Sequence, residues 1–145
     1  MILFNIAIEP LLQTIILDHQ FVGITPASPP TPTSHYAPPP PPPLKVLGYA
    51  DDVFVFLNNV LDLDRLVSHL ANYQHASNAQ LNPHKTVSLS LSGKPQPDWN
   101  HKLVEKGFPD CHDSNNTEPI VYLGFPFFSS KQQLNHFMLQ LLLSI

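Results

Sequence analysis

Apolar residues recur at helical spacing from Met1 to Leu17, where Phe4, Ala7, Ile8, Leu11, Leu12, Ile15 and Ile16 form one broad face. The pattern predicts a helix kinked at Pro10, whose ring removes a backbone donor. From Leu44 the period changes. Leu44 to Tyr49 and Val53 to Leu57 are short runs of β-formers separated by Ala50-Asp51-Asp52, the pattern of a β-hairpin. In the second run Val53, Val55 and Leu57 alternate with Phe54 and Phe56, so a central strand covered on both faces is expected. Helical spacing returns at Leu63, Leu66, Val67, Leu70 and Tyr73, with Asp62 as the expected cap and a stop near Asn82-Pro83. Thr86 to Leu91 alternates Val87, Leu89 and Leu91 with serines, as a half-buried strand does. Ser92 to Glu118 reads as a polar, loop-like segment and Ile120 to Phe128 as a strand or hairpin. A last helix begins near Lys131, and its apolar end, Phe137 to Ile145, reads as a core helix. These elements predict an α+β fold, with the hairpin and the strand near Thr86 in one antiparallel sheet and the helix from Asp62 packed across a face.

One stretch has no such period. Pro26 to Pro43 holds ten of the chain's 17 prolines, six of them consecutive from Pro38. It is expected to be an exposed polyproline II loop. The 145 residues suffice for one compact domain or part of one. A net charge of −4 offers no broad basic surface to hold nucleic acid through its phosphates, so any such site has to be local.

Cys111 is the single cysteine, which excludes an intrachain disulfide and points to a reduced, intracellular compartment, nucleus or cytoplasm. The apolar start lacks a basic n-region and is interrupted by Asn5, Glu9 and Pro10, unlike a signal peptide. No stretch is long and apolar enough to span a bilayer. His101, Cys111 and His112 lie near one another in sequence. Zinc sites pair their ligands at short spacings such as Cys-x₂-Cys with His-x₃-His, and that pattern does not occur.

Asp51 and Asp52 sit where a hairpin turns between strands too apolar to solvate them. Two carboxylates on a rigid turn can hold Mg²⁺, which in turn binds phosphate oxygens. Aspartate is also a common turn residue, so an exposed hairpin tip accounts for the same pair.

The flanking residues extend the pattern. Tyr49-Ala50-Asp51-Asp52 between apolar strands resembles motif C of reverse transcriptases, the aromatic-x-Asp-Asp hairpin of the polymerase palm. Three further stretches resemble that family in its own order: Leu3 to Leu11 the helix after motif B in non-LTR retrotransposons, Leu81-Asn82-Pro83-His84-Lys85-Thr86 motif D, and Tyr122-Leu123-Gly124-Phe125 motif E. The resemblance implies an RNA-directed DNA polymerase palm over residues 1–130, with the proline-rich loop, 22–43, inside it and the start of a thumb-like helix over 131–145. It implies two-metal transfer with Mg²⁺ or Mn²⁺, in which a primer 3′-oxygen attacks the α-phosphate of a deoxynucleotide on an RNA or DNA template. Asp51 and Asp52 would be the catalytic metal ligands, Asp51 the principal one. Tyr49 and Ala50 would lie beside the primer end, and Lys85 would approach the nucleotide phosphates. Leu123 and Gly124 would form the primer grip.

Each assignment has a plainer counterpart. Lys85 reads equally as a solvated lysine after a turn, and Leu123-Gly124 as a tight turn. Tyr122, Phe125, Phe127 and Phe128 read as core rather than as a stacking platform. The family's third carboxylate, in motif A, has no counterpart in these residues, so the expectation is a truncated palm that is inactive alone. The alternative function is protein recognition without catalysis, with Pro38 to Pro43 presented to an SH3- or WW-type partner.

Overall fold

The computed structural model of the chain describes residues 2–26, 41–49 and 52–144, without the side chains of residues 2–4. Most of the proline-rich stretch, and Ala50 and Asp51 of the turn, lie outside the described residues. The elements are mixed α and β, and the chain divides into two units, Met1–Gln80 and Leu81–Ile145. No described helix is long and apolar enough to cross a membrane.

The first unit opens with α1 (Ile2–Leu17), which carries Pro10 inside it. Leu11 and Ile15 point into a core with Phe21 and Leu66, and Ile8, Val46, Val55, Leu57, Leu70 and Tyr73 pack around it. Strands β1 (Val46–Tyr49) and β2 (Asp52–Val55) form the expected antiparallel hairpin, in the register Val46↔Val55 through Tyr49↔Asp52. Below it, Phe56 N donates to Lys45 O at 2.8 Å, and Ile24 and Leu44 exchange both backbone hydrogen bonds. Helix α2 (Val60–Ser77) runs from its cap Asn59, whose side chain accepts from Asp62 N, to Asn78 in the left-handed region at φ 56°. The cap is therefore Asn59, because Asp62 falls at the third helical position, and the helix stops at Ser77, short of Asn82-Pro83.

Side chains at the end of α1 tie it to α2. Asp18 accepts from Arg65 Nε and from Arg65 Nη2 at 2.8 Å, and His69 Nε2 lies 2.8 Å from its Oδ2. The Tyr73 hydroxyl donates to the Ala7 carbonyl at 2.9 Å. Lys45 Nζ donates to the carbonyls of Ile16 and Asp18, where the C-terminal end of α1 leaves acceptors unpaired.

In the second unit, β3 (Val87–Leu89) pairs in parallel with β4 (Asp110–His112), and α3 (Pro97–Glu105) lies in the connection. This corrects two expectations. The strand near Thr86 does not join the hairpin in one antiparallel sheet, and Ser92 to Glu118 is not simply a loop. A helix in the connection gives it the length that parallel pairing needs. Helix α3 has Pro97 and Asp98 in its first turn and stops in a Schellman motif. There Phe108 N reaches Leu103 O at 2.8 Å and Gly107 N reaches Val104 O at 3.0 Å, with Leu103 and Phe108 both buried.

Strands β5 (Ile120–Tyr122) and β6 (Phe125–Phe127) form a second antiparallel hairpin, and α4 (Lys131–Leu143) follows under the cap Ser130. Buried Gln133 fixes the start of α4. Its amide donates to the carbonyls of Asp113 and Asn116, and its oxygen accepts from Ser129 N at 2.7 Å. Beyond Gln133 the helix is not core: Leu134, Met138, Leu139 and Leu141 to Leu143 are exposed.

Among the described residues each sheet has two strands, so β2 is not a central strand either. Its pairing partner is β1 alone, and Phe54 stays 37% exposed on the face that was expected to be covered.

Candidate functional site

Alternation along the first hairpin sorts its side chains into two faces. Val46 and Val55 pack on the α1 core, and a Cβ built on Gly48 would meet the Leu12 side chain at 3.3 Å. The opposite face carries Leu47, Tyr49, Asp52 and Phe54, all exposed. Tyr49 and Asp52 are direct cross-strand partners at the turn end of the hairpin, with Tyr49 64% exposed. Two of the candidate site residues are thus brought together on an open surface. Ala50 and Asp51, the other two of the turn, lie outside the described residues.

Lys85, Leu123 and Gly124 belong to the second unit, Lys85 on one turn and Leu123 and Gly124 together on another. Lys85 ends an exposed 3₁₀ turn, Pro83–Lys85, where Asn82 caps His84 N and takes the Thr86 hydroxyl on its carbonyl. Leu123 and Gly124 are the two loop residues between β5 and β6, with φ of 50° and 81°. Two successive positive φ values are those of the type I′ turn that matches strand twist, and glycine meets that demand without strain whereas leucine does not.

Three of the four aromatic residues expected in the core are on the surface instead: Phe125 is 70% exposed, and Phe127 and Phe128 are also exposed, while Tyr122 is half-buried. A two-stranded hairpin has too little area to cover three phenylalanines. Tyr122 and Phe127 stand 6.4 Å apart, and Phe128 meets Phe137 of α4 edge-on at 5.6 Å.

Mg²⁺ and Mn²⁺ are hard cations that take carboxylate oxygens and keep several waters. Asp52 is a donor of that kind, and Asp51 is its neighbour in sequence. Among the described residues no three His, Cys, Asp or Glu side chains gather as a metal cluster. The donor type therefore suits such a cation in kind. Cys111 is half-buried, and that burial, with Asp113 nearby, raises its thiol pKa, away from a reactive thiolate.

Two further carboxylates, Asp18, which the sequence did not single out, and Asp62, which it offered only as a helix cap, are the best held. Asp62 is fully buried and the side chain of Asp18 is 5% exposed, and both accept hydrogen bonds from segments far away in sequence. The sequence signals were slight: Asp18 directly follows a helix, and Asp62 stands three residues after Asn59.

A family model described as reverse transcriptase (RNA-dependent DNA polymerase) matches residues 1–127. No curated protein and no solved structure matches the chain.

Proposed function

Because the chain belongs to the reverse transcriptase family, we propose that its β1–β2 hairpin is the carboxylate turn of a palm from a non-LTR retrotransposon polymerase. The observation that carries this reading is the Tyr49↔Asp52 pair, which sets an aromatic ring and a carboxylate side by side on the exposed end of a hairpin. The family generally uses divalent metals and acts on a template-primer and nucleotides. Mg²⁺ or Mn²⁺ bound at such a turn would supply charge stabilisation for the oxygens of nucleotidyl transfer.

In this reading Asp51 and Asp52 hold the cation, Asp51 foremost. Tyr49 and Ala50 line the primer end, and Lys85 neutralises charge on the nucleotide phosphates. Leu123 and Gly124 form the primer grip, where a turn without bulk at glycine lets a strand approach closely. Residues 1–130 constitute palm, running from the end of motif B through motif E, and 131–145 begin a thumb-like helix. Proteins of this kind act inside the cell, in nucleus or cytoplasm. In this reading Asp51 and Asp52 are the carboxylates that these residues would offer the cations, too few for them to polymerise unaided.

Primer extension tests the assignment. The purified 145-residue chain with primer, template, nucleotides and Mn²⁺ is expected to add nothing above background. Joined behind a family fingers and motif A segment, it is expected to extend the primer, and Asp51→Ala is expected to abolish that gain. Extension by the unjoined chain that survives Asp51→Ala would defeat both the mechanism and the site.

One observation favours a second reading. Ile24 and Leu44, which flank the proline-rich stretch in sequence, are paired. In this second reading Pro38 to Pro43 is presented to an SH3- or WW-type groove. Loss of binding to a panel of such domains when the prolines become a Gly-Ser spacer would support it.

A further inference from the structure

Asp62 is fully buried and accepts three backbone N–H bonds: from Val22 at 2.8 Å, Gly23 at 3.0 Å and Asn58 at 2.9 Å. A buried carboxylate is costly unless its lone pairs are taken, and here backbone amides take them. The donors come from the exit of the first hairpin and from the segment paired with its entry. Asn58 lies three residues past β2. Val22 and Gly23 lead into Ile24, which is paired with Leu44 just ahead of β1. Contact there is close, since a Cβ at Gly23, φ +67°, would stand 2.5 Å from the Leu44 carbonyl oxygen. One side chain of α2 thus binds the chain where it leaves the hairpin and also the segment that pairs with the hairpin's entry.

We propose that Asp62 is the positioning residue of the carboxylate hairpin: by joining the hairpin's exit, and the segment paired with its entry, to the first turn of α2, it fixes the direction in which Tyr49 and Asp52 are presented. Its functional meaning rests on the hairpin being the nucleotidyl-transfer site. The positioning itself is read without metal or substrate.

Native-state hydrogen exchange on the unmodified chain is the first measurement. Counting up the ladder from the Phe56–Lys45 bond, the next hydrogen-bonded pair is Leu47 and Phe54. The amides of Val22, Gly23 and Asn58 are expected to open in the same cooperative unit as those of Leu47 and Phe54. If they open separately while the hairpin amides stay protected, the proposal is overturned.

The second measurement compares Asp62→Asn with Asn59→Ala, which weakens α2 through its cap alone. At denaturant concentrations giving equal global stability, Asp62→Asn is expected to speed exchange at Leu47 and Phe54 about tenfold over Asn59→Ala, the factor that about 1.4 kcal/mol of local opening corresponds to. Equal exchange in the two variants would show that Asp62 only stabilises α2. Failure of the primer-extension test with these exchange results intact would remove the polymerase reading and leave the hairpin clamp.

Discussion

The carboxylate of Asp18 joins two helices, and its chemistry gives that contact a pH dependence. The Arg65 guanidinium, with smaller help from His69 and the Gln20 amide, holds its pKa well below the ordinary value near 3.8, against the opposing effect of burial. A carboxylate whose folded pKa is depressed contributes stability that is fully present above its unfolded pKa. That contribution is lost as pH falls from there toward the folded value. Arg65 is 36% exposed, so solvent screening reduces the gain. Asp18→Asn is expected to cost about 2 kcal/mol at neutral pH, as hydrogen bonds to a charged group do. The gap between variant and native chain should hold down to about pH 4 and close below it, read by urea unfolding at neutral and acid pH. A gap that stays constant through the acid range would mean that the charge on Asp18 contributes nothing.

At the scale of elements, two glycines with similar backbone angles separate conformational cost from crowding. Gly107 ends α3 at φ +90° with nothing within 4 Å of a built Cβ, whereas Gly23 at φ +67° faces the Leu44 carbonyl. Gly107→Ala is expected to cost about 1 kcal/mol, the penalty for a side chain in the left-handed region. Gly23→Ala is expected to cost at least twice that, because the base of the hairpin must also move. Thermal unfolding of the two variants compares them directly, and equal losses would place the Ile24–Leu44 contact outside the stabilising set. These same elements show what the sequence displays. The first hairpin, α2 and the hairpin around Leu123-Gly124 were legible because their periodicity and turn residues are local. Helix α3 was not, since its short apolar face rests on Leu103 and Trp99 amid polar residues, although Pro97-Asp98 and Gly107 marked its ends. The pairing of β3 with β4, and of Asp62 with Val22 and Gly23, depends on contacts between distant segments that no local pattern encodes. The exposed face of α4 and the surface position of Phe125 were misread for a related reason, because an apolar run says that burial is favourable and not what provides it.

Across the whole molecule, charge is divided unevenly. The first unit holds Lys45 and Arg65 against Glu9, Asp18, Asp51, Asp52, Asp62 and Asp64, while the second balances Lys85, Lys94, Lys102, Lys106 and Lys131 against Asp98, Glu105, Asp110, Asp113 and Glu118. Both cations of the first unit are already engaged, Lys45 by carbonyls at the end of α1 and Arg65 by Asp18. A phosphate backbone approaching the hairpin therefore meets net negative charge, and counterion release, the usual source of affinity for nucleic acid, has little to draw on. For this chain at about 0.15 M salt, binding to a primer–template is expected near the weak end of non-specific association, a Kd of about 10⁻⁴ M. A divalent cation then acts in opposite directions according to whether the turn holds it. Where it is not held, it competes for the phosphates and weakens binding. Where Asp51 and Asp52 hold it, it reverses the local repulsion and bridges carboxylate to phosphate. Fluorescence anisotropy with a labelled primer–template, with and without Mn²⁺, is expected to show tighter binding with the metal in the native chain. In the double substitution Asp51→Asn and Asp52→Asn, metal-free binding should equal or exceed that of the native chain, because two repelling charges are gone, and Mn²⁺ should now weaken it. If Mn²⁺ weakens binding in the native chain as well, the turn does not hold the cation in these 145 residues.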